Sequence, residues 1–229
     1  MNNTLGERRI GAYGGTFDPI HNGHIEVVRA VVHNFRLDRL LIIPAHRPPH
    51  KDSHAISNAY HRYAMAALAS LDEPRVVVST IEIEAPDEPY SYQTVERLKS
   101  LYGAGTNLFF VMGADSFEEI DTWREPQRLL AGANIVVVTR PGYEIQSSHT
   151  RADFTSSIID MRGRSGDEPR PEEERESGSV ACHVYLTDYV NNEVSSTEIR
   201  KRVRDGKTIK GLVPPRVASY VEKYELYRR

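Results

Sequence analysis

The chain has 229 residues, of which 39% are hydrophobic and 27% are charged, a composition typical of a globular protein with an ordinary core. Its formal net charge of −3 gives no bulk basic surface for nucleic acid. The single cysteine excludes an internal disulfide framework, and neither a signal peptide nor an apolar run of membrane-spanning length is visible, so we expect a soluble cytoplasmic protein with no membrane partner.

Short apolar, β-branched runs alternate with helical patterns along the chain, which is typical of a parallel α/β sheet. The strand candidates are residues 9–13, 39–44, 75–81, 107–112, 134–139 and 183–186. The helix candidates are residues 24–35, 57–71, 92–102 and 126–131, and the apolar face of the second is formed by Tyr60, Ala64, Leu68 and Leu71.

The C-terminal part is predicted to be helical. Ser195 and Glu198 have the spacing of a capping box, and Val217, Tyr220, Val221 and Tyr224 indicate a final amphipathic helix. The expected fold is a doubly wound, Rossmann-like parallel sheet with a helical C-terminal part. In such folds ligands bind beyond the carboxyl ends of the strands, so the ends of the predicted strands should converge on one crevice.

Residues 161–179 interrupt this pattern. They contain one sizeable apolar side chain, Met161, among arginines, acidic residues, prolines and glycines. Such a segment cannot bury enough apolar surface to become ordered. We therefore predict a single domain over residues 1–229 with a mobile insertion at 161–179, between the fifth and sixth predicted strands.

The segment after the first strand indicates phosphate chemistry: residues 14–24 read GGTFDPIHNGH. Glycines let backbone N–H groups approach an anion, and a helix N-terminus adds unpaired donors and a favourable dipole. His21 and His24 contribute imidazole donors that can become cationic. Their arrangement around a glycine turn is hard to explain as packing alone.

Other motif interpretations fit these residues less well. The glycines at 11, 14 and 15 have the wrong spacing for a dinucleotide-binding fingerprint, and residues 206–208, GKT, lack the earlier glycine of a P-loop. A zinc site needs three or four ligands, and His46, His50 and His54 lie loosely in a proline-rich loop.

A second group of polar residues lies at residues 195–200, SSTEIR. A helix cap alone accounts for Ser195 and Glu198. The surplus consists of the hydroxyls of Ser196 and Thr197 and the guanidinium of Arg200. Arginine binds phosphate oxygens bidentately, and here it would neutralise charge that builds on a leaving group.

Both segments resemble signatures of the H-x-G-H nucleotidyltransferase superfamily, although Val194 replaces the isoleucine of its I-S-S-T-x-x-R motif. Residues 44–51, PAHRPPHK, are similar to the P-x-x-x-P-P-H-K loop of bacterial nicotinate-nucleotide adenylyltransferases. Residues 113–116, Trp123, residues 140–142 and the ending of the chain also follow that family in order and spacing. Related pantetheine-phosphate enzymes usually have threonine at the first motif histidine and lack the tryptophan segment.

The resemblance implies adenylyl transfer from ATP to nicotinate mononucleotide, which gives deamido-NAD and pyrophosphate in NAD biosynthesis. It implies an ATP site formed by Gly14, Gly15, Thr16, Phe17, His21, His24, Ser195, Ser196, Thr197 and Arg200, in which His21, His24 and Arg200 are catalytic. It implies a mononucleotide site formed by Lys51, Ser91, Tyr92, Asp115, Trp123 and Arg140. Magnesium is expected to be carried by the ATP phosphates, with no metal site formed by protein ligands.

Several alternatives stay open at the level of sequence. Trp123 offers a flat face for a pyridine ring but also suits plain packing. Asp115 suits a helix N-cap as well as a nucleotide contact, and an exposed lysine such as Lys51 is usually just solvated. The acceptor could be nicotinamide mononucleotide or another phosphorylated compound, and a non-catalytic nucleotide sensor is a different class. The oligomeric state is not predicted.

Overall fold

The computed structural model describes residues 8–46, 56–85, 90–103, 105–139, 157–163, 182–190 and 192–228. The strands are β1 (Arg9–Gly15), β2 (Arg39–Pro44), β3 (Val76–Val78), β4 (Asn107–Gly113), β5 (Asn134–Val138), β6 (Ser157–Asp160) and β7 (His183–Thr187). The helices are α1 (Asn22–Asn34), α2 (Ala59–Ala69), α3 (Ser91–Tyr102), α4 (Ala114–Glu118), α5 (Pro126–Gly132), α6 (Ser196–Arg204) and α7 (Pro215–Lys223), with a 3₁₀ turn at Ile120–Thr122. No described helix is both long and apolar enough to cross a membrane.

The strands form one seven-stranded parallel sheet in the order β3-β2-β1-β4-β5-β7-β6. The order reverses beside β1, which is where ligands bind in doubly wound sheets. In the register of the sheet, Gly15 lies opposite Pro44, and Gly113 lies opposite Val138. The carboxyl ends of these four strands therefore meet at one edge, and the predicted fold class is confirmed.

Two separate apolar cores cover the two faces of the sheet, because neighbouring strand residues point to opposite sides. One core contains Val28 of α1, Met65 of α2 and Ile199 of α6. The other contains Val95 of α3 and Leu129 of α5. The two sets of helices consequently reach the carboxyl edge from opposite faces.

The sheet has one strand more than the six that were predicted, and the additional strand is β6. It has four residues, Ser157–Asp160, and it pairs with β7 at the edge of the sheet, where Ile158 is exposed. Because this strand precedes the predicted insertion, the insertion lies between the sixth and seventh strands and not between the fifth and sixth. Met161, its first residue, is buried in the core, while residues 164–179 lie outside the described part of the chain, so their mobility stays a prediction.

The predicted apolar face of α2 is wrong at Tyr60 and Leu71, whereas Leu68 packs against the core. Tyr60 and Leu71 are 65% and 62% exposed, while Arg62, Met65 and Ala66 are buried. The helix is rotated so that an arginine points inward. The physical reason is that the guanidinium finds carbonyl partners beneath the sheet edge, and a fully hydrogen-bonded cation can be buried. The third strand is also shorter than residues 75–81, since the chain forms a turn from residue 81.

Candidate active site

Two glycines allow the turn between β1 and α1 to be compact. A Cβ atom on Gly15 would lie 2.8 Å from Cζ of Phe17, so the ring leaves no room for a side chain there. A Cβ atom on Gly23 would lie 3.2 Å from the imidazole of His21. The turn therefore brings the backbone and the two histidines of the motif close together.

The imidazoles of His21 and His24 are stacked, with ring centroids 3.7 Å apart. The backbone N–H of His21 donates to Nδ1 of His24 at 3.1 Å. Because Nδ1 accepts, the proton of a neutral His24 ring is assigned to Nε2. His21 is buried and His24 is half-buried, so His24 offers the more accessible donor beside the N-terminus of α1.

The motif at the start of α6 lies directly against this turn. Ser196 Oγ donates to the carbonyl of Pro19 at 2.9 Å, and Arg200 Nη1 donates to the carbonyl of Asp18 at 2.7 Å. Ser195 caps the helix, as predicted, by accepting from the N–H of Glu198 at 3.2 Å. The two motifs therefore adjoin in the structure.

The guanidinium of Arg200 is also oriented from within its own helix. Its Nη2 lies 3.3 Å from the hydroxyl of Thr197, which is exposed at the N-terminus of α6. Nη1 of Arg200 is thus hydrogen-bonded to the turn after β1, and Nη2 is hydrogen-bonded to the start of α6. A cation, two hydroxyls and two imidazoles are gathered where two helices begin, a combination suited to a polyphosphate.

Three of the residues predicted for the mononucleotide, Ser91, Tyr92 and Trp123, lie on the opposite face of the sheet. Ser91 and Tyr92 are the first two residues of α3. The guanidinium carbon of Arg128 lies 4.3 Å from the ring centroid of Tyr92, which places α3 beside α5. Trp123 precedes α5 and is half-buried against the second core. Ser91, Tyr92 and Trp123 are therefore brought into one neighbourhood.

Asp115 is exposed in the first turn of α4, immediately after β4 ends. The N-cap of this helix is Gly113, so the alternative interpretation of Asp115 as an N-cap is wrong. Its Oδ1 accepts from the N–H of Ser116 at 2.9 Å. Lys51 and Arg140, the two cations predicted for the mononucleotide, lie outside the described residues.

Arg62 holds the two loops at this edge together, although no sequence pattern indicated it. Its Nη1 donates to the carbonyl of Thr16 at 2.9 Å, and Nη2 donates to those of Ala45 at 2.6 Å and His46 at 3.0 Å. Its Nε donates to the carbonyl of Ser57 at 3.0 Å. One buried guanidinium thus joins the turn after β1 to the loop after β2.

Asp18 is a second unpredicted support, 1% exposed within the first motif. The hydroxyl of Tyr227 donates to its Oδ1 at 2.7 Å, and the N–H of Ser57 donates to its Oδ2 at 3.2 Å. Burial lowers the pKa of the nearby Arg62 guanidinium, and the Asp18 carboxylate opposes that shift. The side chain of Asp18 therefore supports the turn from its buried side through these hydrogen bonds.

A carboxyl group with an altered acidity lies near α3. Burial raises the pKa of Glu82 to about 7, while the hydrogen bond from Thr94, the charge of Arg97 and the charge of Arg62 act in the opposite direction. The donor is Thr94 Oγ1, 2.8 Å from Oε1 of Glu82. Over the part of the chain that the structure describes, no group of three or more His, Cys, Asp and Glu side chains could hold a metal ion.

Comparison with known proteins identifies the family. A family model described as cytidylyltransferase-like matches residues 12–202. A probable nicotinate-nucleotide adenylyltransferase of Thermoanaerobacter sp. (strain X514) is 38% identical, over 97% of this chain and 96% of its own length. The chain belongs to the nicotinate-nucleotide adenylyltransferase family.

Other members of this family are similarly close. A probable nicotinate-nucleotide adenylyltransferase of Roseiflexus sp. (strain RS-1) is 37% identical over 96% of this chain and 98% of its own. The solved structure of the Plasmodium falciparum nicotinic acid mononucleotide adenylyltransferase complexed with NaAD has a TM-score of 0.69 over 97% of this chain and 98% of that one, at 19% identity. That structural likeness supports the Rossmann-like fold, and the relatives in sequence confirm the resemblance drawn from the motifs.

Proposed function

We propose that this enzyme transfers the adenylyl group of ATP to nicotinate mononucleotide, giving deamido-NAD and pyrophosphate. Membership of the family supports the reaction. The structural observation that supports it most directly is the hydrogen bond of 2.7 Å between Arg200 and the carbonyl of Asp18. This bond links the helix that carries the second motif to the turn that precedes the histidines of the first.

The reaction needs no protein nucleophile. A phosphate oxygen of the mononucleotide attacks the α-phosphorus of ATP, a new P–O bond forms, and the bond to the bridging oxygen of the β-phosphate breaks as pyrophosphate leaves. The phosphate of the mononucleotide is already a nucleophile, and the α-phosphorus of ATP is already an activated electrophile. The protein therefore positions them and stabilises the charge that develops.

The first motif is proposed to bind the α-phosphoryl group. His24 donates from Nε2 to its oxygens, and His21 supports the ring of His24 by stacking and adds a donor to the triphosphate. Backbone N–H groups at the glycine turn, residues 14–17, and at the N-terminus of α1 supply further donors. These donors are fixed before the reaction, so they need little reorganisation when charge shifts to the phosphoryl oxygens.

The second motif is proposed to bind the leaving pyrophosphate. Arg200 neutralises the β- and γ-phosphates, and the hydroxyl of Thr197 donates to the same oxygens. Ser196, whose hydroxyl donates to Pro19, contributes its backbone N–H at the start of the helix. Ser195 fixes the start of the helix through its bond to Glu198. The N-terminus of α6 adds favourable electrostatics for an anion.

The mononucleotide is proposed to approach from the face that carries α3 and α5. Trp123 offers its ring to the pyridine, and Ser91 and Tyr92 offer N–H and hydroxyl groups to the pyridine carboxylate. Asp115, in the first turn of α4 after β4, is proposed to lie near the nucleotide at the centre of the crevice. Lys51 and Arg140 are proposed to bind the mononucleotide by their positive charge.

Magnesium is proposed to enter with ATP. Its fit to the protein follows from the donor set, since Mg²⁺ prefers phosphate oxygens and water and needs few protein carboxylates. When bound, the ion would neutralise phosphate charge. The enzyme is proposed to be cytoplasmic, which its single cysteine, Cys182, supports. Its proposed partners are ATP and the mononucleotide, with no membrane and no nucleic acid, and the formal charge of −3 supports the last of these.

The fate of the α-phosphate tests this proposal. With ATP labelled at the α-phosphorus and nicotinate mononucleotide present, the label should appear in a dinucleotide, while γ-label should appear in pyrophosphate. Without the mononucleotide, neither product should form. Release of labelled orthophosphate, or no dinucleotide at all, would contradict adenylyl transfer.

A further inference from the structure

The C-terminal segment of the chain holds the first motif at separate points. The backbone N–H of Asn22 donates to the carbonyl of Leu212 at 3.0 Å, and its side-chain amide donates to that of Gly211 at 2.8 Å. The hydroxyl of Tyr227 donates to Asp18 at 2.7 Å. Asp18 in the turn and Asn22 at the start of α1 are therefore both held by the C-terminal segment.

The backbone near Tyr227 is folded so that its ring lies under the turn. Its φ angle is 66°, in a region that few residues other than glycine adopt, and that of Glu225 is 51°. The surrounding structure must hold such a conformation in place. The hydroxyl of Tyr227 also lies 3.9 Å from Sδ of Met65 on α2, so the hydroxyl end of this half-buried side chain lies between the turn and that helix.

The hydroxyl of Tyr227 is a dependable donor. Burial raises its pKa well above the ordinary value, and the negative charge of Asp18 raises it further. The phenol therefore stays protonated throughout the working range of an enzyme. It can donate to the Asp18 carboxylate at any such pH.

Asp18 links this buried bond to the proposed phosphate site. Its carboxylate is held by Tyr227 and by the N–H of Ser57, while its carbonyl receives Nη1 of Arg200. The side chain of Asp18 is thus fixed on the buried side of the turn, and its carbonyl is hydrogen-bonded to Arg200. Removing the lower bond would leave a buried carboxylate oxygen short of a donor, and the turn would shift to find one.

We propose that Tyr227 is a positioning residue for adenylyl transfer, acting through Asp18 to fix the turn that orients Arg200. This inference rests on the proposed function of the phosphate site, but the role assigned to Tyr227 is separate from the identity of the acceptor. Tyr227 touches neither substrate. Its effect should appear in the use of ATP and not in the binding of the mononucleotide.

The test compares Tyr227→Phe with a matched variant from the same segment. Tyr227→Phe keeps the ring and removes the hydroxyl that donates to Asp18. Tyr220→Phe, on α7, removes a hydroxyl that is hydrogen-bonded to His61 Nδ1 at 2.9 Å, away from the turn. Tyr227→Phe should lower kcat/KM for ATP by about tenfold, since small displacements of a positioning group are costly. Tyr220→Phe should not change it, and KM for the mononucleotide should stay within about twofold in both.

A double-mutant cycle with Asp18→Asn shows whether the effect passes through Asp18. The variant with both changes should be no less active than Asp18→Asn alone, because the shared path is already broken. Calorimetric titration of ATP into Tyr227→Phe gives a second readout that does not depend on the acceptor. Inactivity of the unmodified enzyme would instead refute the proposed function.

Three results would overturn the positioning role. The first is unchanged kcat/KM for ATP together with a lower melting temperature, which describes a purely structural bond. The second is a double variant whose loss of activity, expressed as free energy, equals the sum of the losses in Tyr227→Phe and Asp18→Asn. The third is a Tyr227→Phe protein that does not fold, since the hydroxyl would then be needed for folding itself.

Discussion

Arg200 Nη1 lies 2.7 Å from the carbonyl oxygen of Asp18, a residue 182 positions earlier in the chain. This contact joins the two ends of the fold at the carboxyl edge of the sheet. It also explains why the glycine turn and the start of α6 are useful only together: one supplies imidazoles and the other supplies a guanidinium. Charge stabilisation by preorganised groups requires that both be fixed at the same place.

His24→Ala should reduce turnover far more than it weakens ATP binding. The imidazole donates where negative charge develops, and loss of one such donor typically lowers kcat about 10²–10³-fold. Steady-state kinetics and calorimetric ATP binding measure the two effects separately. His33→Ala, which changes an exposed histidine near the end of the same helix, is the control and should keep full activity. Near-normal turnover in His24→Ala would refute the assignment of the first motif.

Arg62→Lys should destabilise the protein strongly despite keeping the charge. A lysine ammonium cannot reach the carbonyls of Thr16, Ala45 and Ser57 from one position, so buried acceptors lose their donors. The expected loss is about 3 kcal/mol in the free energy of unfolding, measured with urea. Arg29→Lys, at an exposed ion pair with Glu73, should change it by less than about 0.5 kcal/mol. Equal effects of the two changes would show that Arg62 does not tie the loops together.

The parts of the site that depend on local order were predictable from the sequence. The run GGTFDPIHNGH combines a strand end, a turn and a helix start within a few residues. Ser195 caps α6 as its spacing with Glu198 predicted. Five of the predicted strands were found close to their predicted bounds, because continuous β-branched runs are typical of a buried parallel sheet. Local pattern was sufficient wherever the chain's own neighbours determine the structure.

The rest depends on tertiary contacts that have no local pattern. The burial of Arg62 could not be read from the sequence, because arginine is rarely buried unless paired and its partners here come from other loops. The bond between Asp18 and Tyr227 joins residues 209 positions apart. The strand Ser157–Asp160 has four residues and an exposed Ile158, so its apolar signal is too short to distinguish it from a loop.

The stability of the protein should fall as the pH rises towards neutrality because of Glu82. The pKa of this carboxyl is about 7 in the folded protein against an ordinary 4.5, so the folded state binds more protons than the unfolded state between these values. The free energy of unfolding therefore decreases as the pH rises through this window and levels off above it. Urea unfolding from about pH 5 to about pH 8 should show a loss on the order of 2 kcal/mol.

Glu82→Gln should remove this part of the slope, since glutamine accepts from Thr94 without titrating. Glu222→Gln, at an exposed position of α7, is the control and should leave the slope unchanged. If the slope in Glu82→Gln equals that of the unmodified protein, the loss of stability near neutrality comes from another group.

Deleting residues 164–178 and joining the ends should leave activity and melting temperature nearly unchanged. The composition of the segment argues for few buried contacts. Met161 is retained in this variant because it is buried in the core. We propose on this basis that residues 1–229 form one domain with a dispensable, mobile insertion. Loss of folding on deletion would instead show that the segment is an integral element.

Two different residues should control how tightly the acceptor binds and how well the enzyme distinguishes the acid from the amide. Trp123→Ala should weaken the binding of nicotinate mononucleotide and of its amide alike, because both present the same pyridine face. Ser91→Ala, at the start of α3, should mainly narrow the difference between them. The two constants to compare are kcat/KM for the acid and kcat/KM for the amide in each variant. A loss confined to the acid in Trp123→Ala would contradict a purely stacking role.

The most direct test of the proposed function is pyrophosphate release by the unmodified enzyme with ATP and each mononucleotide in turn. A carboxylate and a carboxamide have nearly the same shape, so packing alone cannot distinguish them. Donors that face the carboxylate would meet the N–H₂ group of the amide and stay unpaired, and such a mismatch is costly. We expect kcat/KM for the acid to exceed that for the amide by at least about 100-fold. Equal values would contradict the assignment of nicotinate mononucleotide as the acceptor.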